Sequence, residues 1–220
     1  MGTERRLFHF VGPVLACAYF AVGLFALGWS PALILLGFWL EEILTFVAFG
    51  VESVILKRRY GGEGLGAGFA VTFLFPLLHL IFILVFMFMD SSDNEATDHL
   101  LDALKHIVSG EIGYADDATL LALFELVAGL VVWQVVAFVR WRKRCGKDRE
   151  RDDAELGVRF KLALTLPHLT IIAGGFALMI LELGTWMAAG ILIAKAIGEL
   201  LLGPALRREM EKKSAQKTSP

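Results

Sequence analysis

The sequence predicts an all-α polytopic membrane protein: a bundle of six transmembrane helices with a short amphipathic helix on the extracytoplasmic face. Three observations carry this. Hydrophobic residues make up 56% of the 220 and charged residues only 20%, against about 45–50% and about 25% in soluble domains. Six apolar stretches, at about 7–27, 32–56, 67–89, 118–139, 160–181 and 185–204, are each long enough to cross ~30 Å of hydrocarbon as a helix. A lone segment in lipid must be helical to satisfy its own backbone. Finally, 19 of the 21 Lys and Arg residues fall in four places: Arg5 and Arg6, Lys57-Arg58-Arg59, the stretch Arg140 to Lys161, and the tail from Arg207. Six spans put all four on one side, which the positive-inside rule makes the cytoplasm. The expectation is a multi-pass inner (plasma) membrane protein with both termini cytoplasmic. Residues 1–206 then form the transmembrane domain and 207–220 a polar cytoplasmic tail.

The elements follow in order. Val14-Leu15-Ala16-Cys17 resembles a lipobox. A lipoprotein would expose a polar tether after the cysteine, whereas Ala18 to Leu27 stays apolar, so span 1 reads as uncleaved. Gly28-Trp29-Ser30-Pro31 is a tight turn with Trp29 at the interface. Span 2 carries Glu41 and Glu42 near mid-membrane and Glu52 toward the cytoplasm, and a glycine-rich hinge, Gly61 to Gly68, leads to span 3. There His79 follows Pro76 by three residues.

The outer segment Asp90–Asp117 holds eight acids and one Lys. Within it Thr97-Asp98 opens a helical pattern at about 97–109, with Leu100, Leu101, Leu104, Ile107 and Val108 on one side and Gly110 closing it. Such a helix is expected to lie on the outer leaflet. His99, Asp102 and His106, at i, i+3 and i+7, have a spacing that suits a divalent metal; the plainer reading is a solvated polar face.

Span 4 carries Glu125 in its outer third. The loop after it mixes both signs and reads as a solvated segment beside anionic headgroups; it has no aromatic interleaving, so nucleic acid is not an expected partner. Span 5 carries His168 directly after Pro167, and span 6 carries Lys195 and Glu199 one turn apart. Gly190, Ala194 and Gly198 form a small-xxx-small ridge suited to close helix approach, with Lys195 one residue off it and facing protein. Cys17, within span 1, and Cys145, in the cytoplasmic loop, cannot pair.

The chemistry-bearing residues are those inside the spans. A charged side chain at mid-bilayer costs roughly 2.5–3.5 kcal/mol on insertion scales, so it calls for a partner or a cavity. Glu41, His79, His168, Lys195 and Glu199 are therefore expected to converge on one interior site. Glu42, about 100° from Glu41 around the helix, is expected beside that site. Walker A, GxSxG, HExxH and GxGxxG motifs are absent from the sequence, which argues against ATP-driven transport and serine-protease chemistry.

The run GWSPALILLGFWLEEILTF, with Trp39-Leu40-Glu41, resembles the second span of an uncharacterised six-span prokaryotic membrane family known only as a domain of unknown function. Arg159, His168 in PHLTIIAGGF, and Lys195-Ala196-Ile197-Gly198-Glu199 resemble that family's Arg…His and Lys-x-x-x-acid pattern in its last two spans. The family's third span often has a second His about one turn before the position of His79; here Thr72 to Phe75 stand there instead. The resemblance covers spans 1–3 and 5–6 and implies positions, not a reaction.

Three function classes remain open, as does the question of enzyme activity. One is proton- or ion-coupled transport or channel activity through Glu41, Glu42, Lys195 and Glu199. A second is a divalent metal or a haem held by His79 and His168, with Glu41 as carboxylate ligand or base. The third is a structural subunit whose buried polar groups only pair with one another. The expected partners are the lipid bilayer and a second copy of the chain or another membrane protein.

Overall fold

The computed structural model describes residues 3–60, 74–90, 94–111, 116–145, 152, 156–157 and 188–201, and the structured segments are all helical. They are α1 (Thr3–Ala26), α2 (Pro31–Tyr60), α3 (Leu74–Asp90), α4 (Glu95–Ser109), α5 (Asp117–Arg144) and α6 (188–201). The apolar stretch at 160–181, with His168, and the glycine-rich hinge lie outside the described residues. α2 and Asp117–Lys143 of α5 are long and apolar enough to cross a membrane, while the apolar parts of α1 and α3, Val14–Ala26 and Pro76–Phe88, are shorter.

α2 is the central helix. It touches α1, α3, α4 and α5, and seven consecutive residues, Ala32 to Phe38, are buried. A helix buried all round needs no polar face, and α2 is accordingly apolar on every side in its first two turns. Around it Phe20, Leu35, Phe38, Met87, Leu100, Leu126 and Leu192 form one continuous core that draws on α1 to α6. A second, smaller cluster of Phe49, Leu56, Trp141 and Leu156 joins the far ends of α2 and α5.

Three local expectations are corrected. Trp29 packs inside the protein and does not face outward: Gly28, at φ 73°, turns the chain so that the Trp29 backbone N–H donates to the Gly23 carbonyl at 2.9 Å, and the residue is 2% exposed. α4 begins two residues earlier than Thr97, because Asn94 is its N-cap and accepts from the Ala96 N–H; Gly110 closes it as expected, in the left-handed region at φ 79°. The apolar side of α4 packs on protein: Leu100 and Ala103 are buried in contact with the bundle, whereas Ile107 and Val108 at its end stay exposed.

The small-residue ridge of α6 also differs from expectation. Gly190 and Ala194 are exposed, and the packed side is Ala188, Ile191, Leu192 and Lys195. Branched Ile and Leu side chains bury more apolar area than Gly and Ala, so they face the core. Lys195 is buried with them, as expected.

Tyr19 ties α1 to α5. Its hydroxyl donates to the Glu125 carbonyl at 2.6 Å, and its ring end occupies the space where a Cβ on Gly129 would stand. Gly129→Leu is expected to expel Tyr19 and lower stability by about 1–3 kcal/mol, the usual cost of overpacking. Tyr19→Phe, which keeps the ring, should cost about 0.5–1.5 kcal/mol. Thermal melting of the two variants checks this; equal losses would mean that the close approach at Gly129 does not matter.

Candidate functional site

Adjacent residues on α2 face two different neighbours. Glu41 points to α6 and Glu42 to α3. The Lys195 ammonium lies 3.1 Å from Glu41 Oε2 and 3.2 Å from Oε1, straddling the carboxylate. On its other side it lies 2.6 Å from Glu199 Oε1, one turn along α6. It also sits 5.6 Å from the centre of the Phe38 ring, within reach of a cation–π attraction. The Lys195 side chain is 7% exposed, and those of Glu41 and Glu199 are 16% and 22% exposed. The cation is thus the least exposed side chain of the three, and on the Glu41 carboxylate Oε2 is buried as well.

The second group is a pair. His79 Nδ1 and Glu42 Oε2 share a hydrogen bond at 2.7 Å, with side chains 3% and 0% exposed. The other Glu42 oxygen, Oε1, is buried and has no hydrogen-bond partner. Thus Glu42, expected only beside the site, is His79's direct partner, and Glu41 belongs to Lys195. Angular reasoning on α2 misses this because it assumes that one face of the helix is interior.

Further polar residues hold these groups in place, and of them Gln134 was not among the expected site residues. Trp39 Nε1 donates to the Pro76 carbonyl at 2.7 Å, fixing α3 against α2 three residues before His79. Gln134 Nε2 donates to Thr45 Oγ1 at 2.8 Å, and Thr45 in turn donates to the Glu41 carbonyl at 2.7 Å. The signal for Gln134 was present in the sequence, as a lone amide in the apolar run of α5.

On α4 His99 lies 3.6 Å from Glu95 and His106 lies 3.3 Å from Asp102. Among the described residues no group of three or more His, Cys, Asp or Glu side chains is placed to hold a metal ion.

At the opposite end of α2 and α5, the Tyr60 hydroxyl donates to Asp152 at 2.9 Å beside Cys145 and Trp141. Burial, and then the neighbouring Asp152 carboxylate, push the Cys145 thiol up to about 11. The thiolate is the reactive form. Maleimide labelling of Cys145 at pH 7.5 should therefore be slow, rise about tenfold per pH unit up to that value, and speed up in Asp152→Asn. Labelling at the rate of a free thiol at pH 7.5 would mean that this knot is open.

Residues 3–218 match a family described as a family of unknown function, DUF6498. No curated protein and no solved structure matches the chain.

Proposed function

We propose that this chain, which belongs to the DUF6498 family, is a six-span inner-membrane protein with both termini cytoplasmic. In this reading it moves an ion or solute by loading and releasing one proton or monovalent cation at Glu41–Lys195–Glu199. The membrane reading is supported by the apolar surface. On α5, Leu121, Phe124, Val132 and Val135 are each more than half exposed, and on α3 so are Leu78, Ile81, Val85 and Phe88. A soluble monomer rarely leaves so much contiguous apolar surface in water. The clustering of basic residues supplies the orientation.

The observation that carries the ion-coupling reading is a charge count. One ammonium stands between two carboxylates, so among the described residues the fully ionised cluster carries a net charge of −1. In a low-dielectric interior that state is costly, and one added proton or cation relieves it. A structural salt bridge would need only one carboxylate to neutralise Lys195. The second carboxylate, partly accessible, is what a loading site requires. The Glu42–His79 pair, one residue along α2, is a neutral unit in either protonation arrangement and is suited to pass a proton on.

The test uses protein reconstituted on a supported membrane. A rapid pH or Na+ jump should give a transient charge displacement in the wild type and none in Glu199→Gln or Glu41→Gln, both folded by size-exclusion profile. A wild type silent to both jumps ends the reading. Cysteines placed at Glu95 and Lys143, both exposed, should label from outside and from inside the cell respectively; the reverse would invert the topology.

A further inference from the structure

We propose that the ion loaded at the Glu41–Lys195–Glu199 cluster is a proton, that Glu41 is the residue that stores it, and that Glu199 is where it enters. This rests on the ion-coupling reading above and names its ion and its carrier. The two carboxylates do not hold Lys195 alike. Glu199, one turn along the same helix, accepts from the ammonium through Oε1 at 2.6 Å, the short distance of a strong charge-assisted bond. Glu41 comes from α2 and stands off at 3.1 and 3.2 Å. Of its two oxygens Oε1 accepts a hydrogen bond, whereas Oε2 is buried and makes none.

A buried anionic oxygen without a hydrogen bond is costly. The carboxylate charge is shared by both oxygens, so a proton on either one relieves Oε2. Protonating Glu199 instead would weaken the shortest contact the ammonium makes. With Glu41 neutral, Lys195 keeps Glu199 as its counter-ion, and the cluster loses its net negative charge. The proton arrives at Glu199, whose side chain is the most exposed of the three at 22%. There Oε1 takes the ammonium, which leaves Oε2 for a proton from solvent. Once that carboxyl has turned over, Lys195 gives one proton to Glu41 across 3.2 Å and takes the new one from Glu199 across 2.6 Å. One N–H bond breaks as another forms, and the O–H bond on Glu199 is exchanged for one on Glu41.

A sodium ion fits these surroundings poorly. It needs a shell of oxygens in place of its water, and it would have to stand beside the ammonium. Among the described residues the nearby oxygens are engaged. Both oxygens of Glu41 and Oε1 of Glu199 face Lys195. Thr45 Oγ1 donates to the Glu41 carbonyl and accepts from Gln134, the neutral neighbour on α5. The Leu192 carbonyl accepts from the Cys17 thiol of α1 at 3.6 Å. The Phe38 ring covers another side of the ammonium. One remaining carboxylate oxygen accepts a proton but does not make a shell. The other titratable groups nearby are Cys17, which lies in the field of Lys195 and Glu199, and the Glu42–His79 pair, which is turned toward α3.

The full chain in a reconstituted lipid film would be followed by infrared difference spectroscopy between high and low pH. Subtracting the Glu41→Gln difference spectrum from that of the wild type cancels the surface carboxylates. The C=O band of one neutral carboxylic acid should remain. Glu41→Asp should shift that band, and Glu199→Asp should leave its position unchanged; if Glu41→Asp does not fold, the unmoved band in Glu199→Asp still decides. A Na+ jump at constant pH should displace no charge and leave the carboxylate bands as they are. A band that shifts in Glu199→Asp would overturn the assigned carrier. Charge displaced by Na+ with no acid band would overturn the proton and leave ion coupling in place, whereas silence to both jumps would end both readings.

Discussion

Lys195→Met should lower the stability of the protein by about 3–5 kcal/mol, the cost of breaking a buried ion pair from one side. The substitution keeps the length and apolar stem of the side chain but leaves Glu41 and Glu199 facing each other across the space the ammonium held at 2.6–3.2 Å. The Glu41 and Glu199 side chains are 16% and 22% exposed, so solvent near them trims the loss and the lower end of the range is expected. Adding Glu41→Gln and Glu199→Gln to Lys195→Met should restore most of the melting temperature, since neutral amides do not repel. Glu41→Gln alone should be at least as stable as the wild type, because it leaves one ammonium with one carboxylate. Glu41→Gln is thus the decisive variant for function: a loading site loses its charge displacement in a protein that still melts with or above the wild type, so the loss is not one of folding. Melting curves of the four proteins in one detergent decide the matter. A Lys195→Met protein that melts with the wild type would remove the charge cluster from any account of the fold.

His79→Leu should be nearly as damaging, at about 3 kcal/mol or more. It strands Glu42, whose side chain is 0% exposed and whose hydrogen-bonded oxygen has His79 as its partner at 2.7 Å. Glu42→Gln should cost much less, since an amide oxygen still accepts from the imidazole N–H. The double variant Glu42→Leu with His79→Leu should recover most of the loss of His79→Leu alone, because two apolar side chains need no partners. A double-mutant cycle by thermal melting gives the coupling directly. Additive losses in the cycle would mean that the 2.7 Å contact contributes nothing specific.

The match to a family of unknown function over residues 3–218 agrees with the resemblance carried by Trp39-Leu40-Glu41 and Lys195 to Glu199, and both leave the reaction to chemistry of this kind.

The sequence by itself determined the helical character of the chain, the left-handed stop at Gly110, the i, i+4 meeting of Lys195 with Glu199, and the burial of Lys195. Each is local, or follows from the cost of placing charge in an apolar run, and local rules read directly from residue order. Only the tertiary structure decided which acid serves which base. Glu41 and Glu42 are neighbours in sequence and 100° apart on a helix, and a one-faced helix would hide one and expose the other. α2 is surrounded instead, so both are interior, and the choice between Lys195 on α6 and His79 on α3 depends on where two other helices stand. The same holds for Trp29. Its place in a turn suggested the interface, but Gly23 leaves a Cβ-sized gap on α1 and the turn at Gly28 swings the indole onto it. Close packing of side chains from distant segments sets these partners, and no single stretch of sequence records it.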